Sequence, residues 1–296
     1  MVTAAGLEAA YASCERIARS HYENFPVASV LLPRHMRRHV AAVYAFARTA
    51  DDFADEGDTV SAERIGLLDG WSGRLARAVD GGAQQDVQPG EPAETLAIFA
   101  ALGVTIRECA LPPELLAALI SAFKQDVHVH RYRTWDALFD YARRSANPVG
   151  RLVLRIAGHR TQTLDGWSDA ICTALQFTNF WQDVHVDYAR GRVYLPQVEL
   201  TQRGGSEDDV RPGSAVLAEA LREAAGRTRQ LFLAGRPLCD ALHGRLRYEL
   251  RATWLGGVRI LDRLEQQVAD RDTGRPALGL ADAPWFAWRM ITWVPR

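Results

Sequence analysis

Two carboxylate stripes, each on an otherwise apolar helix, constrain this 296-residue chain more than any other feature. The first lies in Tyr44-Ala-Phe-Ala-Arg-Thr-Ala-Asp-Asp-Phe-Ala-Asp-Glu56, which is rich in alanine and lacks glycine and proline. That composition predicts a helix. At about 100° per residue, Tyr44, Arg48, Asp51 and Asp55 share one stripe. Val43, Ala45, Phe46, Ala47, Ala50, Phe53 and Ala54 fall on faces that favour burial. The second stripe is Gln176, Asn179, Asp183 and Asp187, on a helix that also carries Phe177, Phe180, Trp181 and Val184. One stripe alone reads equally well as a solvated ladder pairing Arg48 with Asp51 and Asp55. Two such stripes point instead to both facing one cavity.

Facing carboxylates repel. At roughly 6 Å and an effective dielectric near 20, each like-charged pair costs about 3 kcal/mol, and burial adds to this. The arrangement therefore calls for cations. Its donors, Asp51, Asp55, Asn179, Asp183 and Asp187, are all oxygens. An all-oxygen set without an EF-hand loop selects Mg²⁺ or Mn²⁺ over zinc and calcium. Mg²⁺ shares its shell readily with phosphates, and Arg48 adds a charged donor for phosphate oxygens. The reading is a diphosphate held through Mg²⁺ at the mouth of an apolar helical cavity. The metal would neutralise charge on a leaving diphosphate, and aromatic faces would stabilise a carbocation. His128 and His130 would point about 200° apart on a helix and make no metal pair. His185 lies off the stripe of Asp183 and Asp187, so all three histidines are read as surface or supporting residues.

The remaining chain predicts an all-α fold. Helices are expected at 4–21, 33–57, 60–79, 93–109, 113–128, 135–158 with a kink at Pro148, 164–187, 213–234 and 238–269. Residues 81–92 read as a mobile polar loop, and 188–211 as a second loop. Neither strand alternation nor a fixed repeat is present. The expected architecture is a single domain over 1–296, with antiparallel helices around a central cavity. A formal net charge of -1 argues against a nucleic-acid partner. Cys14, Cys109, Cys172 and Cys239 are scattered and read as reduced core thiols. With no signal-peptide pattern and no apolar run near ~18 residues, the expected location is cytoplasmic. Trp285, Phe286, Trp288 and Trp293 in the tail suit either packing on the bundle or peripheral contact with the inner membrane face.

These motifs resemble the squalene/phytoene synthase family of head-to-head prenyl synthases from His21 to about Leu264. Arg48-Thr-Ala-Asp-Asp-Phe-Ala-Asp55 resembles the family's first aspartate motif. Gln176 to Asp187, followed by Gly191-Arg-Val-Tyr-Leu-Pro196, resembles the second, and Tyr141-Ala-Arg-Arg-Ser-Ala-Asn-Pro-Val-Gly150 lies between them. The resemblance implies an isoprenoid-synthase-type helical bundle with Mg²⁺ on Asp51, Asp55, Asn179, Asp183 and Asp187. It also implies diphosphate contacts from Tyr44, Arg48, Gln176 and Arg192, and places Tyr141 near the reacting carbons. Asn24-Phe-Pro-Val-Ala-Ser29 and Thr178-Asn-Phe-Trp-Gln-Asp183 are most like the hydroxysqualene synthase branch of bacterial hopanoid pathways. That branch implies presqualene diphosphate as substrate, a C30 lipid alcohol as product, no NADPH, and other hopanoid-pathway enzymes as candidate partners. The alternatives are a transferase condensing two prenyl diphosphates and a non-catalytic helical partner of a prenyl-lipid enzyme. Three positions depart from the wider family. Tyr22-Glu-Asn-Phe25 replaces a Ser-x-Ser-Phe stretch, Gln182 replaces an arginine, and Val186 replaces a glutamate. All three bear on roles that need two bound diphosphates.

Overall fold

A computed structural model describes residues 3–20, 31–55, 59–82, 84, 86–270 and 274–293, and the structural statements below concern these. The helices are α1 (Ala4–Ser20), α2 (Arg34–Asp55), α3 (Ser61–Val79), α4 (Thr95–Glu108), α5 (Pro113–Asp126), α6 (Trp135–Ser145) and α7 (Asn147–Ile156). They continue as α8 (Gln162–Gln182), α9 (Val184–Ala189), α10 (Gln197–Thr201), α11 (Ala215–Gly235), α12 (Leu238–Ala241), α13 (Gly244–Asp270) and α14 (Ala283–Thr292). Among the described residues, extended pairing is limited to one parallel bridge, Arg131 with Val193. The chain divides into two compact units, Met1–His128 with Pro148–Asp165 and Val129–Asn147 with Gly166–Arg296.

In the first unit α2 packs against α1, α3, α4 and α5. Met36, Val40, Val43, Phe46, Ala50, Phe53 and Ala54 are buried, which leaves the Tyr44–Asp55 stripe as the accessible side. Trp71 locks α3 onto α2. Its ring stacks on Phe46 at 5.9 Å and meets Phe99 edge-on at 4.5 Å, and its Nε1 donates to the Phe46 carbonyl at 3.2 Å. The Tyr11 hydroxyl and His39 Nδ1 converge on Thr105 Oγ1, at 3.1 and 3.0 Å, and join α1, α2 and α4. The loop after α3 differs from its expected mobility. Arg74, 1% exposed, donates to both Glu91 oxygens, at 2.7 and 2.6 Å, and to the Asp86 carbonyl at 2.8 Å. A charged group taken out of water must find partners, and Arg74 finds them in this loop.

The expected 135–158 helix is two helices, α6 in the second unit and α7 almost wholly in the first. Ala146 (φ -110, ψ -50) ends α6, and α7 restarts one residue before Pro148. In a helix's first turn the proline's missing N–H costs nothing. The expected 238–269 helix also divides, and α13 begins at Gly244 with φ +62, where glycine avoids the steric clash. The 188–211 stretch holds α10 and a 3₁₀ turn at Glu207–Asp209. α8 approaches α11 and α13 closely enough to require glycine. A Cβ on Gly235 would lie 2.5 Å from Ile171 Cγ1, and one on Gly257 2.7 Å from Leu175 Cδ2. In the tail, Trp293 meets Trp254 at 5.5 Å and so packs on the second unit, whereas Trp288 is exposed.

Candidate functional site

The first stripe has the predicted exposure pattern. Tyr44, Arg48 and Asp51 are half-buried and Asp55 is exposed, all on the accessible side of α2. The ion pairing includes one partner beyond the expected ladder. Arg48 pairs with Asp51 at 3.3 Å and also with Asp52. Asp52 sits four residues from Arg48, the ordinary distance for a helical ion pair, and the 100° count had placed it off the stripe. Burial pushes the Tyr44 phenol up, opposed by Arg48 and reinforced by Asp51 and Asp52. Tyr44 therefore remains a hydrogen-bond donor at neutral pH.

The second stripe spans a helix break. α8 ends at Gln182, Asp183 has ψ 11, and α9 resumes at Val184. The one-turn spacing survives because Asp183 N donates to Asn179 O at 2.9 Å and Asp187 N to Asp183 O at 2.8 Å. Gln176, Asp183 and Asp187 are half-buried, and Asn179 is exposed. After α9 the chain folds back, and Arg192 N donates to the Asp187 carbonyl at 2.8 Å. Burial holds His185 on α9 below the usual histidine range. His128 and His130 lie outside any helix, both exposed, so the helical argument against their pairing does not apply to them.

Beside this stripe lies a cluster of rings. Tyr141 is buried on α6, its ring 5.5 Å from Tyr132 and 6.3 Å from both Phe180 and Tyr194. Phe180, next to Asn179, stacks on Tyr194 at 3.8 Å with the planes 2° apart. Backbone pairing sets this register. Val193 N donates to His130 O and Gln197 N to Tyr132 O, both at 2.9 Å. Arg131 clamps the strap through Glu207, at 2.7 and 2.6 Å, and through the Gly191 carbonyl. The Arg131 hydrogen bonds hold the Glu207 carboxyl below its usual range.

Arg275 contacts the second stripe without any signal in the sequence. Its Nε and a terminal nitrogen donate to the two Asp183 oxygens at 2.5 and 3.2 Å, and Gln182 Nε2 donates to the neighbouring Pro276 carbonyl. Gly274-Arg-Pro276 has no periodicity to mark it. Residues 21–30, with the Tyr22-Glu-Asn-Phe25 and Asn24-Phe-Pro-Val-Ala-Ser29 stretches among them, and Glu56 and Gly57 lie outside the described residues. Within either unit the described residues gather no three His, Cys, Asp or Glu side chains into a ready cage. The α8–α9 set is two carboxylates and an amide, which suits a hard cation that completes its shell with water or phosphate oxygens.

The squalene/phytoene synthase family matches residues 18–282. The chain is 39% identical to the hydroxysqualene synthase of Rhodopseudomonas palustris over 224 residues, covering 73% of this chain and 70% of that one. It is similar to the crystal structure of squalene synthase HpnC from Alicyclobacillus acidocaldarius, with a TM-score of 0.81 and 38% identity, covering 90% of this chain and 97% of that one. A dehydrosqualene synthase structure matches with a TM-score of 0.81 at 19% identity over 97% of both chains, which bears on fold alone. The fold is the all-α isoprenoid-synthase type.

Proposed function

Because the chain belongs to the squalene/phytoene synthase family, we propose that it converts presqualene diphosphate and water into hydroxysqualene and diphosphate. The observation that carries this reading is one unit's pairing of an oxygen-donor stripe, Asn179, Asp183 and Asp187, with the ring cluster around Tyr141. A stripe of this kind suits a diphosphate head, and ring faces suit a carbocation.

The roles follow from side-chain chemistry. Asp51 and Asp55 on α2, and Asn179, Asp183 and Asp187 on α8–α9, are the Mg²⁺ ligands in this reading, and Mn²⁺ fits the same oxygens. A metal held there would supply positive charge to the departing diphosphate. Arg48 and Arg192 donate charged hydrogen bonds to phosphate oxygens, and Tyr44 and Gln176 donate neutral ones. The faces of Tyr141, Phe180 and Tyr194 stabilise the cation after the carbon–oxygen bond breaks. The cation then rearranges, its ring opening as the linear carbon skeleton forms, and water closes the reaction, its oxygen bonding to the rearranged cation and its spare proton passing to the released diphosphate. No NADPH enters this sequence. Among the described residues no helix is long and apolar enough to cross a membrane, and the proposed location is the cytoplasm with peripheral contact at the inner membrane face. Other hopanoid-pathway enzymes are the partners this chemistry implies.

The test is product analysis with purified protein, presqualene diphosphate and Mg²⁺, with and without NADPH. The expected result is an alcohol and diphosphate in equal amounts, insensitive to NADPH. A hydrocarbon formed only with NADPH, or no metal-dependent diphosphate release, refutes the reading.

A further inference from the structure

Surface helices normally bury apolar side chains and expose charged ones. α14 does the reverse. Its one charged residue, Arg289, is 8% exposed, while Trp288 is 54% and Ile291 85% exposed. Ala283, Pro284 and Ala287 are exposed with them. At about 100° per residue Pro284, Ala287, Trp288 and Ile291 form a single outward stripe, and it carries no charge.

Looseness does not explain this exposure, because both ends of the helix are pinned. Asp282, before the first turn, accepts from Arg259 at 2.9 Å and from Arg263 at 2.9 and 2.8 Å. After the last turn, Trp293 lies between Arg236 and Arg251, at 4.8 and 4.5 Å, and donates to Asp240 at 2.7 Å. Trp288 and Ile291 are therefore held outward by a fixed scaffold.

Beneath the helix lies a cavity of about 210 Å³, floored by Phe232, Trp254 and Leu255 and rimmed by Arg229, Arg236 and Arg289. Leu233 on its edge is 40% exposed and extends the apolar surface. The rim is only mildly basic. Arg229 is held by Asp262 and Glu265, each at 2.8 Å, and Arg236 shares Asp240 with Arg251.

We propose that the outer face of α14, with Leu233, docks on a phospholipid bilayer. Trp288 and Ile291 enter the boundary between headgroups and acyl chains, and the arginine-rimmed cavity receives a lipid phosphate with the first carbons of its chain. Tryptophan and arginine suit a boundary that is apolar on one side and wet on the other. A protein partner would be chosen by hydrogen bonds as well as by fit, and on this stripe only the Trp288 N–H could make one. The proposal depends on the proposed function only for its purpose, since a C30 lipid must pass between enzyme and membrane. With Arg229 and Arg236 already paired to carboxylates, apolar insertion supplies most of the binding.

Flotation with vesicles of phosphatidylcholine, alone or mixed with phosphatidylglycerol, tests this without any substrate, so its outcome is separable from that of the catalytic reading. Wild-type protein should float with both, and about two- to threefold better with the anionic mixture. Trp288→Ser/Ile291→Ser should lower the partition coefficient by about tenfold or more while leaving circular dichroism and activity in detergent micelles unchanged. Ala287→Asp, which adds a charge and removes no packing, should lower it comparably. Equal flotation of wild type and variants overturns the proposal, as does a wild type that does not float. A concentration-dependent dimer that forms without vesicle binding and is lost in the double variant overturns it in favour of a second copy of this chain.

Discussion

Asp183 has a cationic partner within the chain, because Arg275 donates to both its oxygens. That pair offsets, at Asp183, the repulsion expected between facing carboxylates. Asp183→Asn should lower the melting temperature slightly, because an ion pair whose arginine is 57% exposed is worth no more than about 1 kcal/mol. Its turnover, and that of Asp51→Asn, should fall on the order of 10²-fold or more with an unchanged circular dichroism spectrum. Near-normal turnover at saturating Mg²⁺ in either variant removes that residue from the ligand set. Arg275 must release Asp183 before a divalent ion can use it, so Arg275→Gln should tighten Mn²⁺ binding severalfold, measured by electron paramagnetic resonance on the substrate-free protein. Unchanged Mn²⁺ affinity would show that the two do not compete. The stripes were legible because a 3.6-residue period marks them in the sequence. Arg275 was not, because Gly274-Arg-Pro276 lies outside any helix and reaches Asp183 across 92 positions.

At the scale of elements, the helices were legible and their interruptions were not. α3, α4, α5 and α11 lie within a few residues of their predicted ends, since apolar spacing carries them. The breaks at Ala146 and Asp183 occupy one residue each, too little to disturb an apolar period. The loop after α3 reads as mobile from composition, yet a buried arginine in a neighbouring helix ties it down. Arg74→Ala should cost about 3–5 kcal/mol, because Glu91 is left buried without its partner, and should open residues 81–92 to limited proteolysis. Full stability together with unchanged protease resistance would contradict the tether. The joint of α1, α2 and α4 gives a pH signature. Burial, then Arg38 and His35, hold His39 below the usual histidine range, against an opposing pull from Glu108 at 3.6 Å. The unfolded chain therefore takes up a proton before the folded one. Stability from His39 is complete above about pH 6.5 and is lost as pH falls through the lowered folded value. Glu91 and Glu207, both held low, lose their contributions only below about pH 4.5. Urea midpoints should thus fall between pH 7 and 5 in the wild type and fall less in His39→Gln, which keeps a partner for Thr105. Identical acid limbs in the two proteins would contradict the assignment.

At the scale of the whole molecule, 35 basic residues against 36 acidic ones leave a formal net charge of -1. Such a chain gains nothing from its overall field when it meets a polyanion, so diphosphate recognition rests on local cations. The two candidate functions differ in how many local cations they need. Condensing two prenyl diphosphates requires two anionic heads to be held at once, whereas ionising presqualene diphosphate requires one. The resemblance implies a loss of up to three positive units relative to the wider family, two at Glu23, where the Ser-x-Ser-Phe stretch often carries lysine between its serines, and one from arginine to Gln182. Glu23 lies outside the described residues, and Gln182 spends its amide on the Pro276 carbonyl. Arg275 returns one unit beside Asp183, which reduces the deficit to two. Even a well-screened unit charge near a diphosphate is worth on the order of 1 kcal/mol. The remaining deficit should weaken a second head by about one to two powers of ten. The chain should therefore consume presqualene diphosphate but not make it. Farnesyl diphosphate and Mg²⁺ given to the purified protein alone should yield no presqualene diphosphate under conditions where added presqualene diphosphate is fully converted. Accumulation of presqualene diphosphate, or of any C30 product from farnesyl diphosphate alone, would show that two heads bind and that the remaining cations suffice for condensation.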